Sequence, residues 1–171
     1  MRNLRPNSGF TLIEIVTVLA LISLTLLIAV PRIPSTLFTD ETKKTSRWII
    51  TKVQVLKDRA TREQKRYALH IDISIKKMWI SNDGMSDEEL LAAEQKAIKL
   101  PSNMRIIDVE FPDNKIISFG QTEIFFYPKG YSDQAVIHLE NKDKQISFRI
   151  EPFLSTVKLF EEYVNLQDAQ S

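Results

Sequence analysis

Hydrophobic residues fall into three regimes along the chain: an unbroken run, a stripe at helical spacing, and alternation at the period of a strand. The run is Phe10 to Val30, 21 positions in which Glu14 is the only ionisable residue. As a helix it would be about 31 Å long, matching the roughly 30 Å hydrocarbon core of a bilayer. A membrane span over 10–30 is therefore predicted. A helix resumes after Pro31 and Pro34, from about 35 to 66, where Ile49, Val53, Leu56 and Ala60 recur at spacings of four, three and four. They form one apolar stripe on an otherwise charged helix, and that stripe should face a sheet.

From Tyr67 the period becomes two. Tyr67, Leu69, Ile71 and Ile73 alternate with His70 and Asp72, which predicts a strand, with 78–81 as its hairpin partner and Asn82-Asp83-Gly84 as the following turn. Ser86 and Glu89 have capping-box spacing, Leu90, Leu91, Ala97 and Ile98 supply an apolar face, and Pro101 stops this short helix. Further strands are predicted at 104–111, 115–119, 123–127, 134–140, 144–150 and 153–160. Turns separate them at Pro112-Asp113-Asn114, Pro128-Lys129-Gly130 and Asn141-Lys142-Asp143. The result is an α+β chain whose portion 67–171 is a mostly antiparallel β head, without internal repeats or low-complexity stretches.

Composition adds exclusions. The chain has 171 residues, 43% of them apolar, enough for one modest core. Having no cysteine, it excludes thiol chemistry, Cys-ligated zinc and disulfides, and two His leave little for a multi-His metal site. The formal charge of +1 hides a polarity: nine Lys/Arg face four Asp/Glu over 40–66, whereas eleven face seventeen over 67–171. The basic stretch reads either as a solvated helix face or as a surface for anionic lipid or acidic neighbours. His70 and His138 are read as solvent-side strand residues. No Gly-rich phosphate loop, H-E-x-x-H pair or calcium loop is present, so no catalytic, cofactor or metal residue is assigned and the chain is read as a non-enzyme.

The apolar run could also belong to a secretory signal, because Arg2 and Arg5 form a short basic region ahead of it. Its downstream end, Ala29-Val30-Pro31-Arg32-Ile33-Pro34, offers no A-x-A-like site, and it is longer than a usual signal core, so the segment is read as retained. Orientation stays open on charge alone, since Arg32, Lys43, Lys44 and Arg47 follow the run. A carboxylate such as Glu14 inside a membrane helix costs roughly 2.5–3.5 kcal/mol and usually has a partner. An N-terminal amine is the expected one.

The string Ser8-Gly9-Phe10-Thr11-Leu12-Ile13-Glu14-Ile15 resembles the prepilin processing site of type IV pilins and type II secretion pseudopilins. The resemblance implies a leader over 1–9, cleavage by prepilin peptidase between Gly9 and Phe10, and N-methylation of Phe10. It places the family glutamate, which pairs with the first residue of a neighbouring subunit and sets register, on Glu14. A second match is Pro31, the twenty-second residue counted from Phe10, where the family commonly has a helix-loosening proline. Gly9 has a physical reason to precede the cut: lacking a side chain, it admits a protease to the backbone and weakens the helix.

In the head, Leu100-Pro101-Ser102-Asn103-Met104-Arg105-Ile106 and Ile124-Phe125-Phe126-Tyr127-Pro128-Lys129-Gly130-Tyr131-Ser132 are similar to the H-type minor pseudopilins (GspH/FimT-like). Asn103 stands where that group often has Gly, which is compatible with a left-handed turn residue because Asn tolerates positive φ. Phe153-Leu154-Ser155 replaces the glycine usual near the last hairpin. The resemblance implies a pilin-like lollipop: a membrane helix over 10–30, its amphipathic continuation over 31–66, and the β-rich periplasmic head over 67–171. The function implied is that of a minor pseudopilin, a structural subunit of the type II secretion pseudopilus. Prepilin peptidase, other pseudopilins, the inner-membrane secretion platform and membrane lipid would be its partners, without nucleic acid or cofactor. The protein would sit in the bacterial inner membrane as a single pass. A minor type IV pilin in pilus assembly or DNA uptake is the alternative within the fold, and a signal-anchored periplasmic enzyme or receptor domain the alternative outside it.

Overall fold

The computed structural model describes residues 12–29, 40–142 and 144–167, with side chains of 23–29 and 40 excepted. The chain divides into two units, Met1–Leu37 and Phe38–Ser171. The first contains helix α1, Leu12–Ala29. The second begins with α2, Asp40–Glu63. The five residues before it that the helical pattern also covered, 35–39, lie outside the described residues, as does Pro31. Helix α2 ends where Gln64 turns to φ 53°, the left-handed conformation that commonly closes a helix.

The stripe on α2 is buried as its spacing requires: Ile49, Val53, Leu56 and Ala60 are each no more than 1% exposed. It packs on β1 (Tyr67–Asp72) and β6 (Gln121–Phe126). These strands belong to an antiparallel sheet in the order β3-β2-β1-β6, with β2 at Lys77–Asn82 and β3 at Ile98–Lys99. The second sheet, β5-β4-β7-β8-β9, comprises Lys115–Ile117, Met104–Phe111, Ala135–Asn141, Lys144–Ile150 and Lys158–Phe160. One apolar cluster joins α2 to both sheets, with Leu69, Ile124, Phe126, Ile137 and Phe148 fully buried within it. The pairs β1–β2 and β7–β8 are hairpins. By contrast β1–β6 and β4–β7 join segments far apart in sequence, so side-chain pattern alone does not specify them.

Turn chemistry accounts for the connections. Asn82 Oδ1 accepts from the Gly84 amide at 2.9 Å, and Asp113 and Asn114 take φ of 63° and 58°, the two positive values that turn the three-residue connection 112–114 between β4 and β5. Asn103 does not take a positive φ; its turn closes through the Met104 amide donating to the Pro101 carbonyl at 3.0 Å.

Four local expectations are corrected. Helix α3 spans only Asp87–Gln95; its capping box is present, but it buries no residue, with Leu90 38% and Leu91 61% exposed. Ile98 leaves the helix because Met78 pairs with it to add an edge strand. The strand expected over 115–119 stops at Ile117, and Phe119 is 81% exposed. The strand expected over 153–160 keeps only Lys158–Phe160, because Pro152 has no amide to donate and Lys57 of α2 captures the carbonyls of Glu151 and Leu154.

Candidate functional site

Two regions carry chemistry: the start of α1, and the polar groups enclosed in the head. Glu14 lies in the first turn of α1 and lines a small apolar cleft with Ile15, Val18 and Leu19. Leu12, Ile13, Ile15, Val16 and Leu19 are all more than half exposed, so α1 shows apolar side chains around its circumference rather than one stripe. Such a helix needs lipid or other helices to cover it. Within 12–22 the one hydroxyl, Thr17 Oγ1, donates back to the Ile13 carbonyl at 2.7 Å and so presents no unpaired donor. Among the described residues no helix is long and apolar enough to cross a membrane. Helix α1 itself has 18 residues, about 27 Å of rise. Gly9, Phe10 and Pro31 lie outside the described residues, so of the four site residues only Glu14 is placed.

In the head, both histidines depart from the solvent-side reading. His138 is fully buried. The segment after β9, Glu161–Gln167, crosses the outer face of the second sheet and covers it: the Ser147 hydroxyl donates to the Glu162 carbonyl at 2.6 Å and accepts from the Val164 amide at 3.1 Å, while Glu110 accepts from the Leu166 amide at 3.1 Å. The Tyr163 ring stacks on His138 with centroids 3.8 Å apart. Burial, then the neighbouring Asp108 carboxylate and, last, Glu110, push the Tyr163 phenol up to about 12. His70 stacks face to face on Trp79 at 5.0 Å, with one ring nitrogen 2.6 Å from Ser81 Oγ and the other 3.0 Å from Glu123. Burial lowers its pKa, against the opposing pull of Glu123.

Lys57 is a buried cation that pattern reading passed over. Its Nζ donates to the carbonyls of Glu151 at 2.5 Å, Leu154 at 2.5 Å and Pro152 at 3.4 Å, which fixes the loop before β9 to α2. Burial lowers its pKa and Glu151 partly offsets this. Its position between Val53 and Ala60, on the flank of the apolar stripe, was the available signal. On the surface nearby, Tyr127, Tyr131 and Phe153 form a row of rings, and the Arg66 guanidinium lies 4.9 Å over Phe125. Among the described residues no three His, Cys, Asp or Glu side chains are grouped to hold a metal ion.

The description Prokaryotic N-terminal methylation motif matches residues 4–30, the segment that holds Gly9, Phe10 and Glu14. Two solved structures of the minor pseudopilin EpsH from the type II secretion system of Vibrio cholerae superpose on the chain. The first is 14% identical, covers 74% of this chain and 99% of its own, and has a TM-score of 0.55. The second is 13% identical, covers 74% and 97%, and has a TM-score of 0.53. The chain has a pseudopilin fold and a prepilin-type methylation motif. No curated protein matches it in sequence. At such low identity the pseudopilin likeness is one of fold, while the motif independently marks the N-terminus. The two findings bear on different parts of the chain, one on the N-terminal motif and the other on the helix and antiparallel sheets.

Proposed function

We propose that the chain is a minor pseudopilin of a type II secretion system, a structural subunit that does no chemistry of its own. The observation that carries the reading is the joint occurrence, in one chain, of a methylation motif at 4–30 and a pseudopilin-fold head. Prepilin peptidase cleaves between Gly9 and Phe10 and Phe10 is N-methylated. The apolar segment 10–30 anchors the chain as a single pass in the inner membrane with its head in the periplasm. The exposed apolar flanks of α1 support this, since lipid or neighbouring helices would cover them. Glu14 then pairs with the N-terminal amine of an adjacent subunit, which lowers the cost of a carboxylate in the membrane and sets the axial register between subunits. Pro31 loosens the helix beyond the span. Other pseudopilins, the secretion platform and lipid are the partners.

Intact-mass measurement of the protein from its native membrane tests the reading. Mature protein beginning at N-methylated Phe10 is expected, with formal charge changed from +1 to −1 by loss of Arg2 and Arg5. An unprocessed chain, or one cut after the apolar run, overturns it. Deleting the gene should block export of secreted proteins while leaving long surface pili in place.

A further inference from the structure

The segment Glu161–Gln167, a strap after the last strand, is held on the second sheet by side chains rather than by a strand ladder. His138 lies under its centre. Its Nδ1 is 2.6 Å from Asp108 Oδ1, and its Nε2 is 3.1 Å from the Val164 carbonyl. Both neighbours are acceptors. A backbone carbonyl cannot donate, and the Asp108 carboxylate already receives the Tyr163 hydroxyl on its other oxygen at 3.1 Å. A neutral imidazole has a single N–H. Filling both contacts therefore requires one proton more than a neutral histidine and an ionised aspartate carry together.

We propose that this proton makes the strap a pH-gated latch, closed while the His138–Asp108 pair holds it and open once it is lost. Losing it sets a ring lone pair against either the Val164 carbonyl or the Asp108 carboxylate, and because both side chains are buried the repulsion is poorly screened. The sign follows from linkage: the closed form binds one more proton than the open form, so rising pH favours opening.

The groups facing His138 fit this assignment. Asp108 and Glu110 come from β4, and both are buried. From β8 comes Arg149, buried and ion-paired to Glu151 at 2.6 Å, with Lys158 of β9 opposite it in register. The strap contributes Tyr163, with Glu161 and Glu162 exposed ahead of it. Tyr163 is held protonated far above neutrality, so it cannot be the group that switches. The contacts made by Ser147 and Glu110 do not depend on the imidazole proton, so the first bond to break is that to the Val164 carbonyl, and the strap opens as the weakened Ser147 and Glu110 contacts follow.

Hydrogen exchange read by mass spectrometry on the full chain in detergent micelles, from pH 5 to 9 and corrected for the intrinsic base-catalysed rate, tests the latch. Protection of the strap amides should fall by about tenfold or more, the weight of one charge-assisted hydrogen bond. Amides of β7 should keep theirs. Equal strap protection at both ends of the range overturns the proposal. His138→Gln, which cannot titrate, should leave the strap equally open throughout, and a surviving pH dependence in that variant also overturns it. Should the variant fail to fold, nitrogen chemical shifts of the His138 ring in the unaltered protein decide. The ring must lose its proton over the pH interval in which the strap opens, and either event without the other refutes the latch.

Discussion

Replacing Lys57 by methionine isolates the one buried ammonium that ties the long helix to the loop before β9. Methionine keeps most of the aliphatic stem in place and removes only the charged head, so packing changes little. What is lost is a set of charge-assisted hydrogen bonds, chiefly those to the Glu151 and Leu154 carbonyls at 2.5 Å. Hydrogen bonds to a charged group are worth about 1.5–3 kcal/mol, and the burial that lowers the Lys57 pKa offsets part of that, leaving a net cost of about 2 kcal/mol. For a head of this size that is a drop in Tm of about 6–10 °C. Near-ultraviolet circular dichroism reads it cleanly, because Trp48 and Trp79 both lie in the second unit and report its packing rather than the helicity of α1. Linkage supplies a second readout. With its folded pKa below the ordinary 10.5, Lys57 binds fewer protons folded than unfolded across the interval between the two values, so its contribution to stability rises with pH there. The uncharged amine still donates to the carbonyls, so the clamp survives the titration. Stability of the methionine variant should lack that rise. A variant within about 2 °C of the unaltered protein, or one with the same alkaline profile, would refute the clamp.

Glu14→Ala should insert into the membrane at least as well as the unaltered chain but enter filaments less; unchanged crosslinking to other subunits would make the carboxylate a bystander. Ser86→Ala removes the cap of α3 at a local cost of about 1 kcal/mol. Because α3 buries no residue, exchange over 87–95 should speed up while the Tm of the head stays put, and a matching global loss would mean that α3 supports the core. Duplex DNA should bind the full chain no better than about 10⁻⁴ M at physiological salt, the weak end of non-specific binding, since 67–171 carries seventeen Asp/Glu against eleven Lys/Arg. Micromolar, steeply salt-dependent binding would move the reading toward DNA uptake.

Much of the architecture was legible because its signals are local. The stripe on α2, the alternation in β1, the capping box at Ser86 and the turn at Asp113-Asn114 are each set by neighbours a few residues apart, and each appears as read. The N-terminal methylation motif was legible for a different reason: it is one contiguous string over 4–30, so all its determinants lie together in sequence. The errors cluster where distant segments meet. The strand expected from Phe153 is cut short by a lysine 96 positions earlier, and Ile98 pairs with Met78 rather than ending a helix.

His138 shows the division most clearly. Alternation correctly put it on the face of β7 away from Ile137 and Leu139, and nothing local could say whether that face meets water. Period two assigns a side chain to one of two faces; it does not say what covers either. Here the covering is the chain's own strap, fixed by side chains of β4, β7 and β8 that only long-range pairing brings side by side. Sequence by itself determined the apolar run, the N-terminal methylation motif and the order of most elements, all properties of neighbouring residues. Tertiary structure alone decided which polar residues are enclosed, and with them Lys57 and the His138–Asp108 pair, because burial depends on contacts between segments the chain separates by tens of residues.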